Sequence, residues 1–396
     1  MPRLRSALWA AAKVAAIAGT VALGSCTSVR TILKTAPTER PAAFRAQGPI
    51  APLPKREALS LLERELYGPV VAPERYAVLS SDESEVEGGR LRSWIVELTY
   101  PGGTRDLLVA AVMPTGADDA PVLSTQNFCP TQDVLPFDSL PPKLPGGFDC
   151  SGGGFAGWAM TRIFGRHIVE PPLQDILDRG FGLVAVYPSE VVPDSARASS
   201  LALAELFPEG DRPGALALWA GLHDVVAELI SDQLGERDVI AYGHSRYGKT
   251  ALLAGAWFDS VDGVIAHQSG TLGSSNMRDR DGEPLDALVR AYPHWGRADL
   301  AARAKDPLSL PRPARLLQAI GDKPVLQGNA RRDVWSDPTG AWTESFAAWG
   351  DDFGAPTPGT FDAVARKAFW LRPGTHGVVK EDWEAFLDWA EANFQE

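Results

Sequence analysis

The stretch Asp238-Val239-Ile240-Ala241-Tyr242-Gly243-His244-Ser245-Arg246-Tyr247-Gly248-Lys249-Thr250, running on into Ala251-Leu252-Leu253-Ala254-Gly255-Ala256, constrains this chain most. An apolar run with strand character breaks at a glycine, a serine stands at the break, and helix formers come after it. This predicts a strand, a sharp turn and a helix with Ser245 at the apex, the pattern of a nucleophile elbow. The spacing is G-x-S-x-x-G, with Tyr247 where the second glycine of G-x-S-x-G falls. So tight a turn forces the serine backbone into strain and needs small neighbours. It aims the hydroxyl into a cleft and sets the Arg246 N–H at a helix N-terminus, where an oxyanion is stabilised.

The same residues fit G-x-x-x-x-G-K-[ST], the phosphate-binding loop, and also an ordinary turn with a capping serine. Both motifs want a strand before and a helix after, so the rest of the chain must decide. A nucleotide-hydrolysing loop needs a second carboxylate on an apolar strand to hold Mg²⁺. Val264-Ile265-Ala266 is followed instead by His267-Gln268.

The 396 residues allow one large domain or two small ones, and 45% hydrophobic content suffices for a sizeable core. A formal net charge of −12 argues against a nucleic-acid partner. Residues 1–26 read as an export signal: Arg3 and Arg5 make the positive start and Val14 to Leu23 the apolar core. It ends Leu23-Gly24-Ser25-Cys26, which resembles the bacterial lipobox, so Cys26 is the expected lipidation site and a membrane lipid anchor is expected. Thr27 rather than Asp after the cysteine favours, by the same resemblance, the outer membrane. Residues 27–55, rich in Pro, Ala and Arg, read as a tether, and 56–396 as the catalytic domain. Lipidation of one of three cysteines leaves Cys129 and Cys150, which can pair in an oxidising periplasm. No Cys/His spacing suggests a metal, and no cofactor is expected.

Leu107 to Met113, Val122 to Phe128, Gly182 to Tyr187, Val264 to Ala266, Pro324 to Gly328 and Ala368 to Leu371 read as strands. Pro171 to Arg179, Leu218 to Leu229 and Trp383 to Phe394 read as helices, the last two from their apolar spacing. Strands alternating with helices predict an α/β fold, a mostly parallel sheet covered on both faces, with the site at the strands' carboxyl ends.

A serine needs a base, and the base a carboxylate to orient it; in α/β-hydrolases they come in the order Ser, acid, His. Of the six histidines only His376 comes after a late strand, between Gly374 and Gly377. The acid is expected after the preceding strand: Asp333 stands just past it, with Asp337 as rival, able instead to serve its own loop before Pro338.

Taken together, Gly243 to Leu252, Gln268-Ser269-Gly270, Gly282-Glu283, Tyr292-Pro293-His294-Trp295, Asp333 to Pro338 and Gly374 to Gly377 resemble the bacterial glucuronoyl esterases. These are α/β-hydrolases that cleave the ester joining glucuronate side groups of xylan to lignin alcohols. The resemblance spans about residues 100 to 395. It implies Ser245 as nucleophile, His376 as base, Arg246 as oxyanion donor, and Lys249, Glu283 and Trp335 as binders of the uronic sugar, a carbohydrate ester being the substrate. Many members carry the acid as Glu directly after the strand that succeeds the elbow. Here that place holds Gln268, which again points to Asp333. Residues 129–170 do not match the family. A general or acetyl esterase of the same fold, or a glycan-binding lipoprotein without catalysis, are the rival readings.

Overall fold

The computed structural model describes residues 49–117, 119–144, 150, 164–277, 283–333, 335–350 and 358–395. The expected signal, Cys26 and most of the expected tether lie outside the described residues. The packed chain begins before residue 56. Ile50 N donates to Ala347 O at 3.0 Å, and the first helix spans Lys55–Leu62.

Nine strands form one sheet in the order β1-β2-β3-β5-β4-β6-β7-β8-β9. They are β1 (Arg75–Val86), β2 (Gly89–Tyr100), β3 (Gly103–Pro114), β4 (Val122–Gln126), β5 (Gly182–Val186), β6 (Val239–His244), β7 (Gly263–His267), β8 (Val325–Ala330) and β9 (Lys367–Arg372). The first three are antiparallel, and β3 meets β5 antiparallel; from β5 across to β9 every pairing is parallel. This is the α/β-hydrolase arrangement. The antiparallel entry through β1 and β2 was not expected from the sequence. β1 (RYAVLSSDESEV) is almost wholly exposed and charged, so it carries no apolar alternation to reveal it.

The parallel strands are short, apolar and buried on both faces, as parallel strands must be when helices cover each side. Side chains alternate between two cores. Val184, Val186, Val239, Ala241 and Val264 join one core, with Trp219, Leu222 and Leu252. Leu183, Ala185, Ile240 and Ile265 join the other, with Trp383, Phe386 and Trp389. The first core takes helices Ala215–Leu234 and Arg246–Trp257; the second takes the last helix, Lys380–Phe394. Ala215–Leu234 is buried nearly all round and stops at Gly235, which takes φ 93°.

The order β6-β7-β8-β9 positions the site. Four consecutive parallel strands end on the same edge, so Ser245, Gln268, Asp333 and His376, each just past one of them, are brought to one mouth.

Candidate active site

Ser245 has φ 57° and ψ −117° between β6 and the helix Arg246–Trp257. Backbone in this region is strained for a residue with a Cβ and persists only where the surroundings enforce it. A Cβ at Gly243 would lie 2.0 Å from Tyr247 O, and one at Gly248 would lie 2.9 Å from His267 O. Those contacts require both glycines. Tyr247, at the place of the usual second glycine, turns away and is buried against Trp219 and Phe128. Thr250 Oγ1 donates to Gln126 Oε1 at 2.7 Å, which ties the elbow helix to the end of β4. Among the described residues the other non-glycine residues with positive φ are Gln268, Leu272 and Asp337, all in segments that come after β7 and β8.

His376 Nδ1 lies 2.7 Å from Asp333 Oδ2. Asp333 is 2% exposed and its oxygens take three further donors: Trp335 N at 2.9 Å, Ser336 N at 3.1 Å and Ser336 Oγ at 2.6 Å. Burial pushes this carboxyl upward, but the charge and hydrogen bond of His376 and the bonds from Ser336 outweigh it, and the net shift is down. Asp333 is therefore a carboxylate fixed in one orientation against the imidazole. The rival Asp337 is spent locally: its side chain accepts from Gly340 N at 2.9 Å and caps the helix Pro338–Trp349. Among the described residues no hydrogen bond joins the Ser245 hydroxyl to His376, whose Nε2 is left over by the bond to Asp333. The ring of His376 packs on His244, with centroids 4.6 Å apart, and edge-on to Trp335 at 5.1 Å. His244, next to the serine, thus forms the wall behind the His376 ring.

Arg246 N–H stands at the first position of its helix, where no carbonyl of that helix reaches it. Its guanidinium pairs with Asp194 and sits over the rings of Phe128, Tyr292 and Trp295, 5.0 to 5.4 Å from their centroids. Asp194 is itself held by His294 Nε2 and Trp295 Nε1, each at 2.9 Å. Arg246 Nε is buried and has no hydrogen-bond partner among the described residues. The side chain is preorganised, with one donor still to satisfy. Asn127, just past β4, spends its side-chain amide on Thr125 O and Val186 O; Phe128 is the ring beneath Arg246.

Lys249 is 5% exposed; its Nζ donates to Ser269 O and lies 5.7 Å from the Trp295 centroid. Burial lowers its amine to about 8, against the pull of Glu283 and with the push of Arg246. Burial raises the Glu283 carboxyl, and Lys249, His376 and Arg246 only partly offset that. Arg246, Lys249, Glu283, Asp333 and His376 therefore lie within electrostatic reach of one another, with Trp335 edge-on to His376 and Ser245 next to Arg246 in the chain. Asp194, which clamps Arg246, was not found in the sequence: it lies 52 residues before the arginine, after β5, with no motif around it.

Of the other expectations, Cys129 and Cys150 are joined by a disulfide, with Cα atoms 5.7 Å apart. Gln268, 1% exposed, accepts Gly377 N at 2.8 Å through Oε1. His223 is fully buried against Ser124 Oγ at 2.8 Å, and burial lowers it to about 3.

No family model matches the chain. Over 240 residues it is 29% identical to a carbohydrate esterase from an unknown prokaryotic organism; the match takes in 55% of each chain, so this chain spans about half the length of the curated relative it matches. Solved structures with the same fold include a promiscuous esterase of carbohydrate esterase family 15 from a marine bacterial metagenome, with TM-score 0.73 and 19% identity over 86% of this chain and 91% of the other. A glucuronoyl esterase from Solibacter usitatus has TM-score 0.72 and 24% identity over 86% and 92%. One from Teredinibacter turnerae has TM-score 0.67 and 21% identity over 85% and 83%. At these identities the likeness is one of fold: the chain has the α/β-hydrolase fold of the glucuronoyl esterases.

Proposed function

We propose that this chain is a serine esterase acting on esters of glucuronic acid, of the kind that joins xylan side groups to lignin alcohols. The observation that carries the reading is the 2.7 Å bond from His376 to the buried Asp333, at the mouth where the strained Ser245 turn emerges. The motif resemblance and the structural neighbours name one family.

Each group has a part in the chemistry. His376 Nε2 takes the Ser245 proton as Oγ attacks the ester carbonyl carbon. Hydrogen bonds of this kind are often long without substrate and tighten when it binds. The negative charge gathers on the former carbonyl oxygen, where Arg246 N–H and its free Nε–H donate. Asp333 stabilises the imidazolium. That ion then protonates the departing alcohol, the C–O bond breaks, and an acyl-enzyme remains. Water, deprotonated by His376, releases the uronic acid and restores the serine. Lys249, Glu283 and Trp335 hold the sugar: a cation and a carboxyl for its hydroxyls and a ring for its apolar face. An export signal ending at the lipidated Cys26 would place this activity at the outer membrane or in the periplasm.

Hydrolysis of benzyl glucuronate, its galacturonate analogue and 4-nitrophenyl acetate tests the reading, with Ser245→Ala as the control. Preference for glucuronate, abolished in Ser245→Ala, is expected. Preference for the acetate would make this a general esterase. Absence of a fluorophosphonate adduct on Ser245 in the folded protein would favour a binding protein without catalysis.

A further inference from the structure

His376 rides on a loop with little regular structure. Residues 373–379 link the end of β9 to the last helix, and Gly374 and Gly377 take φ of 112° and 148°. Such a segment has many conformations open to it, whereas a base must be held in one.

Arg372, the last residue of β9, lies inside this loop. Its Nη1 donates to Pro373 O at 2.9 Å, and its Nη2 to Thr375 O at 3.0 Å and Gly377 O at 2.8 Å. The chain on both sides of His376 is thereby wrapped around one guanidinium. The guanidinium is in turn anchored: Nε lies 2.8 Å from both oxygens of the buried Asp382. Asp382 also takes Trp370 Nε1 and Val379 N, each at 3.0 Å, which closes the loop onto the last helix.

Gln268 reaches the same loop from β7. A backbone N–H can only donate, so the amide oxygen must face Gly377, and the partner settles the amide's orientation. The residue directly after the histidine is therefore gripped twice. Gln268 takes its N–H and Arg372 its carbonyl, from strands on either side of β8.

We propose that Gln268 and Arg372 are positioning residues for His376: Asp333 orients the ring, while these two fix the backbone from which the ring projects. The place that holds a triad carboxylate in many glucuronoyl esterases has here become a loop anchor. The proposal rests on the reading of His376 as the base.

Gln268→Met, which keeps length and loses the acceptor, is the decisive variant. Misplacing a catalytic group by about 1 Å costs on the order of 100-fold, so kcat on the glucuronate ester should fall by about 10- to 100-fold with KM nearly unchanged. Gln268→Glu, which keeps an acceptor for Gly377 N, should recover most of that loss. Arg372→Lys should lower kcat too, but it disturbs a buried ion pair, so the Gln268 pair carries the test. A readout independent of turnover is the downfield imidazole N–H resonance of His376, identified by its loss in His376→Gln. It should be sharp in the wild type and in Gln268→Glu, and broadened or moved in Gln268→Met. An unchanged resonance and unchanged kcat in Gln268→Met would overturn the proposal. So would a raised KM at constant kcat, which would make Gln268 a substrate contact. Should the wild type hydrolyse no ester, the functional reading fails, and the resonance still decides whether Gln268 holds the loop.

Discussion

The carboxyl ends of β7 and β8 lie side by side and both reach the histidine loop, but they hold different things. Asp333, past β8, takes a proton-bearing nitrogen of the imidazole; Gln268, past β7, takes a backbone N–H one residue further on. A charge is needed only where charge appears. In the proposed mechanism the imidazole becomes a cation and calls for a carboxylate, whereas the peptide N–H stays neutral and is satisfied by an amide oxygen. A carboxylate at 268 is not required by anything the structure places there.

The largest effect expected from breaking this division is on Asp333. Asp333→Asn leaves an amide that cannot stabilise an imidazolium, and kcat should fall on the order of 10⁴-fold. Full activity in steady-state assays of that variant would mean the wrong carboxylate has been identified. Next in size is the anchor of the loop. Asp382→Asn leaves Arg372 buried without its counter-charge, which should cost about 3–5 kcal/mol at neutral pH in denaturant unfolding. Burial pushes Asp382 up, but His267, Arg372 and the hydrogen bond from Val379 N prevail, and its carboxyl sits below the ordinary 3.8. A lowered carboxyl contributes stability above its unfolded value and loses it as pH falls through the folded one. The gap between Asp382→Asn and wild type should therefore narrow below about pH 4; a gap independent of pH would refute the assignment of its charge to stability.

Moving the carboxylate sharpens the comparison further. In the double variant Gln268→Glu with Asp333→Asn, the new acid faces Gly377 N rather than the ring, so it should regain no more than about tenfold of the lost rate, a single hydrogen bond's worth. Restoration to near wild type would show that either strand end serves. The smallest effect concerns the sugar side. The amine of Lys249, lowered to about 8, is charged below that value and neutral above it. KM for the glucuronate ester should rise several-fold (about 1 kcal/mol) as pH passes 8, and Lys249→Met should abolish the pH dependence. A KM flat to about pH 9.5 in the wild type would remove Lys249 from the binding set.

Much of this is legible in the sequence alone, and the parts that are not share a cause. The elbow can be read because sterics act within a few residues: two glycines and a serine around a turn have one way to pack. The parallel strands are visible because each is a short apolar run, while β1, charged and exposed, gives no such run. Asp337 and Asp333 differ by four positions and look alike in sequence; the left-handed backbone at Asp337 turns it onto its own helix. Nothing local marks Asp194 as the clamp on Arg246, or His244 as the wall behind His376.

By itself the amino-acid order determined the strand–turn–helix around Ser245, the alternation that makes a layered α/β sheet, and the succession of serine, acid and histidine along the chain. Those depend on backbone sterics and on periodicity, which act over a handful of residues. Only the tertiary structure decided which carboxylate meets the imidazole, that Gln268 grips a peptide instead of a ring, and that Arg372 fills the loop from within. Such pairings join groups up to 109 positions apart, and they depend on the path of loops that local preference leaves undetermined.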